Sequence, residues 1–152
     1  MQQPSVVHST IVIRRNYPAT PEKIFAALSD PAKKLRWFAE AHDAQKDFFE
    51  MDFRVGGIER TKRQNKEGWV FTNDSVYRDI VLNRRVVLAY NMSVGEKCIS
   101  SSLATFELIP GEKGTDLVFT DQIAFYEGAD GPQMREAGWR KLLEKLAEFT
   151  GD

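Results

Sequence analysis

Residues 130–151 read DGPQMREAGWRKLLEKLAEFTG, and this stretch decides the architecture. Asp130-Gly131-Pro132 is a start signal, because a turn leads into a proline whose φ is already helical, and Gly151 is a stop signal. Between them Met134, Gly138, Leu142, Leu146 and Phe149 recur at helical spacing, with Trp139 and Leu143 beside them. At about 100° per residue these positions cover roughly half the helix circumference. Glu136, Arg140, Glu144 and Glu148 lie opposite, and Glu136–Arg140 has the favourable acid-before-base spacing. So wide an apolar arc needs a wide, concave partner. A curved sheet supplies one.

The preceding residues predict that sheet. Ser5 to Tyr17 alternates, with Val7, Ser9, Ile11, Ile13 and Arg15 on one face. Thr20 then caps a short helix that begins at Pro21, and Asp30 caps a second that begins at Pro31. Ile24, Phe25 and Leu28 are the apolar side of the first; Leu35, Trp37 and Phe38 serve the second. Six strands follow: Phe48–Phe53, Ile58–Gln64, Trp69–Val81, Arg85–Met92, Lys97–Ile109 and Thr115–Phe125. Short turn signals such as Gly56-Gly57, Asn65 to Gly68 and Pro110 to Gly114 separate them, which predicts an antiparallel meander. The order strand, two short helices, six strands and long helix defines an α+β class, read as one domain over residues 1–152.

Bulk properties narrow the function classes. A chain of 152 residues is long enough to hold a core without disulfides or metals. The formal net charge of -1 gives no global pull toward nucleic acid or anionic lipid. The one cysteine, Cys98, cannot form an internal disulfide, and the N-terminus has no apolar leader. A cytoplasmic location is expected, with no membrane insertion.

Several stretches, taken in order, carry a family resemblance. Ile11 to Arg15 leads into Ala19-Thr20-Pro21-Glu22-Lys23-Ile24-Phe25 and on to Ser29-Asp30-Pro31. Leu35 to Phe38, Met51 to Gly57, Arg84 to Tyr90 and Gly138-Trp139 with Leu142, Leu143 and Leu146 complete the set. Together they resemble the START-like (SRPBCC) helix-grip superfamily, and within it the bacterial relatives of the activator of the 90-kDa heat-shock protein ATPase. The resemblance implies a helix-grip fold: a curved sheet of six to seven strands with the long helix across its concave face. Residues 39–46 depart from the family's aromatic–glycine–proline pattern.

The resemblance also implies a cavity between helix and sheet. Matched to the resemblance, Val86, Leu88 and Tyr90 are expected to face inward, with Ala104, Phe106 and Leu108, then Leu117, Phe119 and Ile123. Met134, Gly138, Leu142 and Leu146 face them from the helix. These side chains either fill a core or line a pocket. Small residues at Ser100, Ser102 and Ala104 favour a pocket. Gly138 costs about 1 kcal/mol against alanine in mid-helix, which reads as close helix–sheet contact or as ligand access. Asp121 shares the inward face, and Arg135 enters the apolar arc. The two are expected to pair as a polar mouth that orients a ligand's polar end. The alternative is that Arg135 snorkels and Asp121 is hydrated.

Other constellations are weaker. His8 and His42 have no neighbours suited to zinc, so neither metal nor cofactor is expected. Glu40 and Asp43 flank His42 in a stretch read as a solvated loop. Cys98 reads as a buried or half-buried thiol. Arg60, Lys62, Arg63 and Lys66 read as a solvated edge that resists strand pairing, and nucleic acid is not an expected partner. The leading functional reading is binding of a small apolar or amphipathic molecule, by Leu88, Tyr90, Ser102, Ala104, Phe106, Phe119, Asp121, Met134, Arg135, Gly138 and Leu142. The alternatives are a chaperone-binding module and a cyclase- or hydrolase-like enzyme using Asp121, then Tyr90, as its acid. Monomer and homodimer both fit the sequence.

Overall fold

The computed structural model describes residues 5–39 and 47–151. Strand β1 (Val7–Tyr17) leads into α1 (Pro21–Ser29) and α2 (Pro31–Lys34), which runs on into a π-helical turn at Leu35–Ala39. Six strands follow: β2 (Phe48–Met51), β3 (Ile58–Gln64), β4 (Val70–Val81), β5 (Arg85–Val94), β6 (Lys97–Gly111) and β7 (Gly114–Phe125). The long helix α3 spans Pro132–Thr150. All seven strands form one antiparallel sheet in the order β1-β7-β6-β5-β4-β3-β2, so β1 crosses over to close on the last strand.

Local chemistry sets the helix ends. Thr20 accepts from the Lys23 N–H at 3.2 Å, and the Asp30 carboxylate accepts from Ala32 and Lys33 at 2.9 and 3.4 Å. Both caps meet amides that have no partner inside their helices. The C-terminal half of α3 is tied to the sheet where the Tyr17 hydroxyl donates to the Leu143 carbonyl at 2.8 Å. Gly114 opens β7 at φ +106, and a Cβ there would stand 2.0 Å from the Tyr17 carbonyl oxygen, so only glycine fits.

The core lies under α1 and the C-terminal half of α3. Ile11, Ile13, Leu117, Phe119, Leu108 and Phe106 meet Ile24, Leu28, Leu143 and Leu146 there, all buried. Glu136 and Arg140 make the expected surface pair at 3.0 Å. No described helix is long and apolar enough to cross a membrane.

Four expectations need correction. Met134 is 68% exposed; the buried ridge of α3 runs through Arg135, Leu143, Leu146 and Thr150 instead. The helix is rolled so that Arg135 reaches the sheet, which turns Met134 to the rim. Leu35 is also exposed, because the π-helical turn directs Trp37 inward in its place. Strand β3 is not an edge, since β2 covers it from Glu59 to Lys62. Cys98 is exposed: the β5–β6 register slips between Met92 and Ser93, and this bulge displaces Cys98 from the buried face. Glu40, His42 and Asp43 lie outside the described residues.

Candidate functional site

The inner face of the sheet has two unlike halves. On β6, β7 and β1 it is apolar and filled. On β3 and β4 it is largely polar, on β5 it carries Leu88, Tyr90 and Met92, and over this half the structure leaves a cavity of about 750 Å³. Strand pairing places the floor residues in rows. Tyr90, Ser75 and Glu59 are successive cross-strand partners, and so are Met92, Asn73 and Thr61; Ser102 and Ser100 continue the two rows onto β6, outside the cavity lining. The α2 segment and α3 form the opposite wall, with Lys34, Trp37 and Phe38 from the first and Gly138, Trp139 and Leu142 from the second.

Trp139 decides where the cavity lies. Its ring sits 4.3 Å from Phe119 and 6.0 Å from Phe106, centroid to centroid, and fills the space over β6 and β7. The cavity is thereby displaced toward β3–β5. Of the expected ligand-binding residues, Leu88, Tyr90, Phe106, Met134, Arg135, Gly138 and Leu142 line it. Ser102, Ala104, Phe119 and Asp121 do not; they lie behind the wall. Ala104 and Phe119 are fully buried core. Gly138 does not mediate close packing among the described residues, because a Cβ built on it meets none of their atoms within 4 Å. It faces open space beside the cavity.

Asp121 and Arg135 come together, but through an intermediary. The Tyr90 hydroxyl donates to Asp121 Oδ2 at 2.6 Å and accepts from Arg135 Nη1 at 3.1 Å. Trp139 Nε1 donates to the same Oδ2 at 3.0 Å. Arg135 spends its fork on Asp130, with both bonds at 2.8 Å, and donates to Ser100 Oγ at 2.9 Å. The expected mouth pair is therefore part of one buried network, in which Tyr90 and Arg135 line the cavity and Asp121 does not. Sequence periodicity placed both residues inward but could not place Tyr90 between them.

Burial dominates the electrostatics. It pushes the Asp121 carboxyl up to about 6, even though Tyr90, Arg135 and Trp139 pull the other way. The Tyr90 phenol rises to about 12, from burial first and the Asp121 charge second. Burial alone would lower Arg135, yet its bonds to Asp130 and the Tyr90 contact outweigh that and raise it. Among the described residues, Asp121 Oδ1 has no hydrogen-bond partner.

The raised Asp121 value has a testable consequence. Between about pH 4 and pH 6 the folded protein holds a proton at Asp121 that the unfolded chain has released. This group's contribution to stability therefore falls as pH rises through that window. The interval from 3.8 to about 6 corresponds to on the order of 3 kcal/mol. Asp121→Asn is expected to gain stability over the native chain between pH 4.5 and pH 7.5, read from urea midpoints. A native–variant difference that stays flat with pH would refute the assignment.

A second buried network was not legible in the sequence. Lys34 Nζ lies 2.6 Å from Glu59 Oε1, and the Tyr77 hydroxyl donates to the same oxygen. Lys34, Glu59 and Tyr77 are all at most 4% exposed. Burial and then the Glu59 charge push the Tyr77 phenol upward. Lys34 also stands 4.9 Å over the Phe38 ring. The only sequence signal was a weak one: Glu59 and Thr61 alternate with Ile58, Arg60 and Lys62, so both faces of β3 carry polar residues and periodicity does not choose between them.

A curved antiparallel sheet gripping one long helix, with a cavity between them, defines a helix-grip domain of the START-like class, a fold that commonly holds hydrophobic ligands. A family model described as "Activator of Hsp90 ATPase homolog 1-like protein" matches residues 18–151, and the chain belongs to that family. A solved protein of Rhizobium leguminosarum is similar at 37% identity and TM-score 0.91, over 96% of each chain. Protein Mll3558 of Rhizobium loti is similar at 41% identity and TM-score 0.89, over 96% of this chain and 99% of that one. Protein CV1439 of Chromobacterium violaceum shares the fold at 22% identity and TM-score 0.75, over 94% of this chain and 97% of that one. Among curated proteins none matches.

Proposed function

We propose that the chain binds one small amphipathic molecule in the cavity between α3 and β3–β5. The observation that carries this reading is the cavity itself: about 750 Å³ walled by Trp37, Phe38, Leu88 and Trp139, with polar groups at fixed points. Ligand sites commonly have this size and this mixture. Gly138 supports it, since a helix-destabilising residue is retained where neither packing nor a turn requires it. Burial of apolar ligand surface would supply affinity at about 25 cal/mol per Å². Asp121 is not placed to act as an acid on a ligand, because Trp139 and Tyr90 stand between it and the cavity.

Two substitutions at Gly138 test the reading. Gly138→Ala adds a methyl group in open space and is expected to stabilise the helix by about 0.5–1 kcal/mol with binding retained. Gly138→Trp is expected to fill the cavity and abolish one-to-one binding of an apolar fluorescent probe such as anilinonaphthalene sulfonate. Equal probe binding by native chain and Gly138→Trp would place the site elsewhere. The family's description favours one further reading, a module that docks on a chaperone. It predicts a changed Hsp90 ATPase rate on adding this protein, insensitive to Gly138→Trp.

A further inference from the structure

The cavity's floor specifies more than apolarity. Ser75, Glu59, Asn73 and Thr61 occupy adjacent positions on β3 and β4, all on the concave face. Asn73 donates through Nδ2 to Thr61 Oγ1 at 3.4 Å, while its Oδ1 is buried and, among the described residues, has no hydrogen-bond partner. A buried amide oxygen without a donor is a strong request for one. Trp139 packed on Phe119 closes the apolar floor over β7, so the apolar floor that remains, Leu88, Met92 and Phe106, lies beside these polar groups. An alkyl chain laid over β3 and β4 would strip water from these polar groups and return no hydrogen bonds.

The facing wall is aromatic. Trp37 and Phe38 stack with centroids 5.5 Å apart and planes 22° apart, and Phe38 lies 6.4 Å from Trp139 at 26°. These three rings make the wall aromatic, which favours an aromatic guest that packs on them without losing rotor freedom.

We propose that the ligand is a compact planar ring compound that presents hydroxyl or N–H donors along one edge to Asn73 and its neighbours, and is not an alkyl-chain lipid. This rests on the cavity being the binding site, and it adds the chemical class. Donors are required because the orphan atom is an acceptor. The ring face meets the aromatic wall, and the donor edge meets the strand floor.

Calorimetric titration of the native chain with 2,3-dihydroxynaphthalene, 2,3-dimethoxynaphthalene and dodecanoate tests it. The two naphthalenes share a ring and differ in donors; dodecanoate is the alkyl chain. The diol is expected to bind at least tenfold more tightly than either of the others. Asn73→Leu, close in volume, is expected to weaken the diol at least tenfold and leave the dimethoxy compound unchanged. Ser75→Ala, a smaller change, is expected to act in the same direction. Equal affinity for diol and dimethoxy compound, or tighter binding of dodecanoate, overturns the donor-edge proposal while the cavity reading stands. Binding of none of the three, with native chain and Gly138→Trp also alike toward the fluorescent probe, overturns both.

Discussion

Lys34→Met is expected to lower unfolding stability by about 3–5 kcal/mol, because it leaves the Glu59 carboxylate buried without its cation. The pair is 5% and 4% exposed at the side chains, so the remaining charge would be poorly hydrated without its partner. The cost therefore comes from stranding one charge, and it should shrink when the second charge is removed as well. The double variant Lys34→Met, Glu59→Gln is expected to recover most of the loss, with Tyr77 still able to donate to the glutamine oxygen. Urea unfolding of the two single variants and the double closes a mutant cycle. Additive effects would show that the two residues do not act as a pair. The same pair pins α2 to the sheet, so a loosened Lys34 should also open the cavity wall that carries Trp37 and Phe38.

Trp139→Ala is expected to cost a similar amount, about 3–5 kcal/mol, the usual range for a large aromatic removed from a packed position. The lost contacts are those with Phe119, Phe106, Phe38 and Tyr90, together with the Nε1 bond to Asp121. Trp139→Phe keeps a ring and loses that bond, so it should cost less and push the Asp121 carboxyl further upward. Chemical denaturation gives the stabilities, and the pH dependence of the native–variant difference gives the carboxyl. A loss below about 1 kcal/mol for Trp139→Ala would mean that the indole is not what fills the β6–β7 half. Its removal should also extend the cavity over Phe119, and an alkyl probe that the native chain refuses should then enter.

The caps and turns were readable because they are local. Thr20-Pro21 and Asp30-Pro31 meet their own next amides, and no distant residue is needed to explain them. The strands were readable where one face is apolar and the other polar, as in β7 with Leu117, Phe119 and Ile123 inward. On β3 and β4 that contrast fails. Glu59, Thr61, Asn73 and Ser75 gave no hint of facing inward, because their polarity belongs to the site and not to solvent. Lys34 was hidden for the same reason: a lysine four residues after a cap reads as surface until its partner, 25 positions away, is known.

By itself, the sequence determined the element order, the helix ends and the existence of a wide apolar arc on α3, since each follows from backbone preference and short-range periodicity. It also turned Asp121, Tyr90 and Arg135 inward. Only the tertiary structure decided what they do there: Tyr90 bridges the other two, and Trp139 bonds to Asp121, which does not reach the cavity. The half of the sheet left open was likewise a tertiary outcome, set by one indole packing on Phe119 and by the roll of α3 that brings Arg135 to Tyr90 and Ser100. The physical reason is that register and helix rotation are fixed by contacts between residues far apart in the chain, and a one-residue roll exchanges the side chain at the rim for the one in the core.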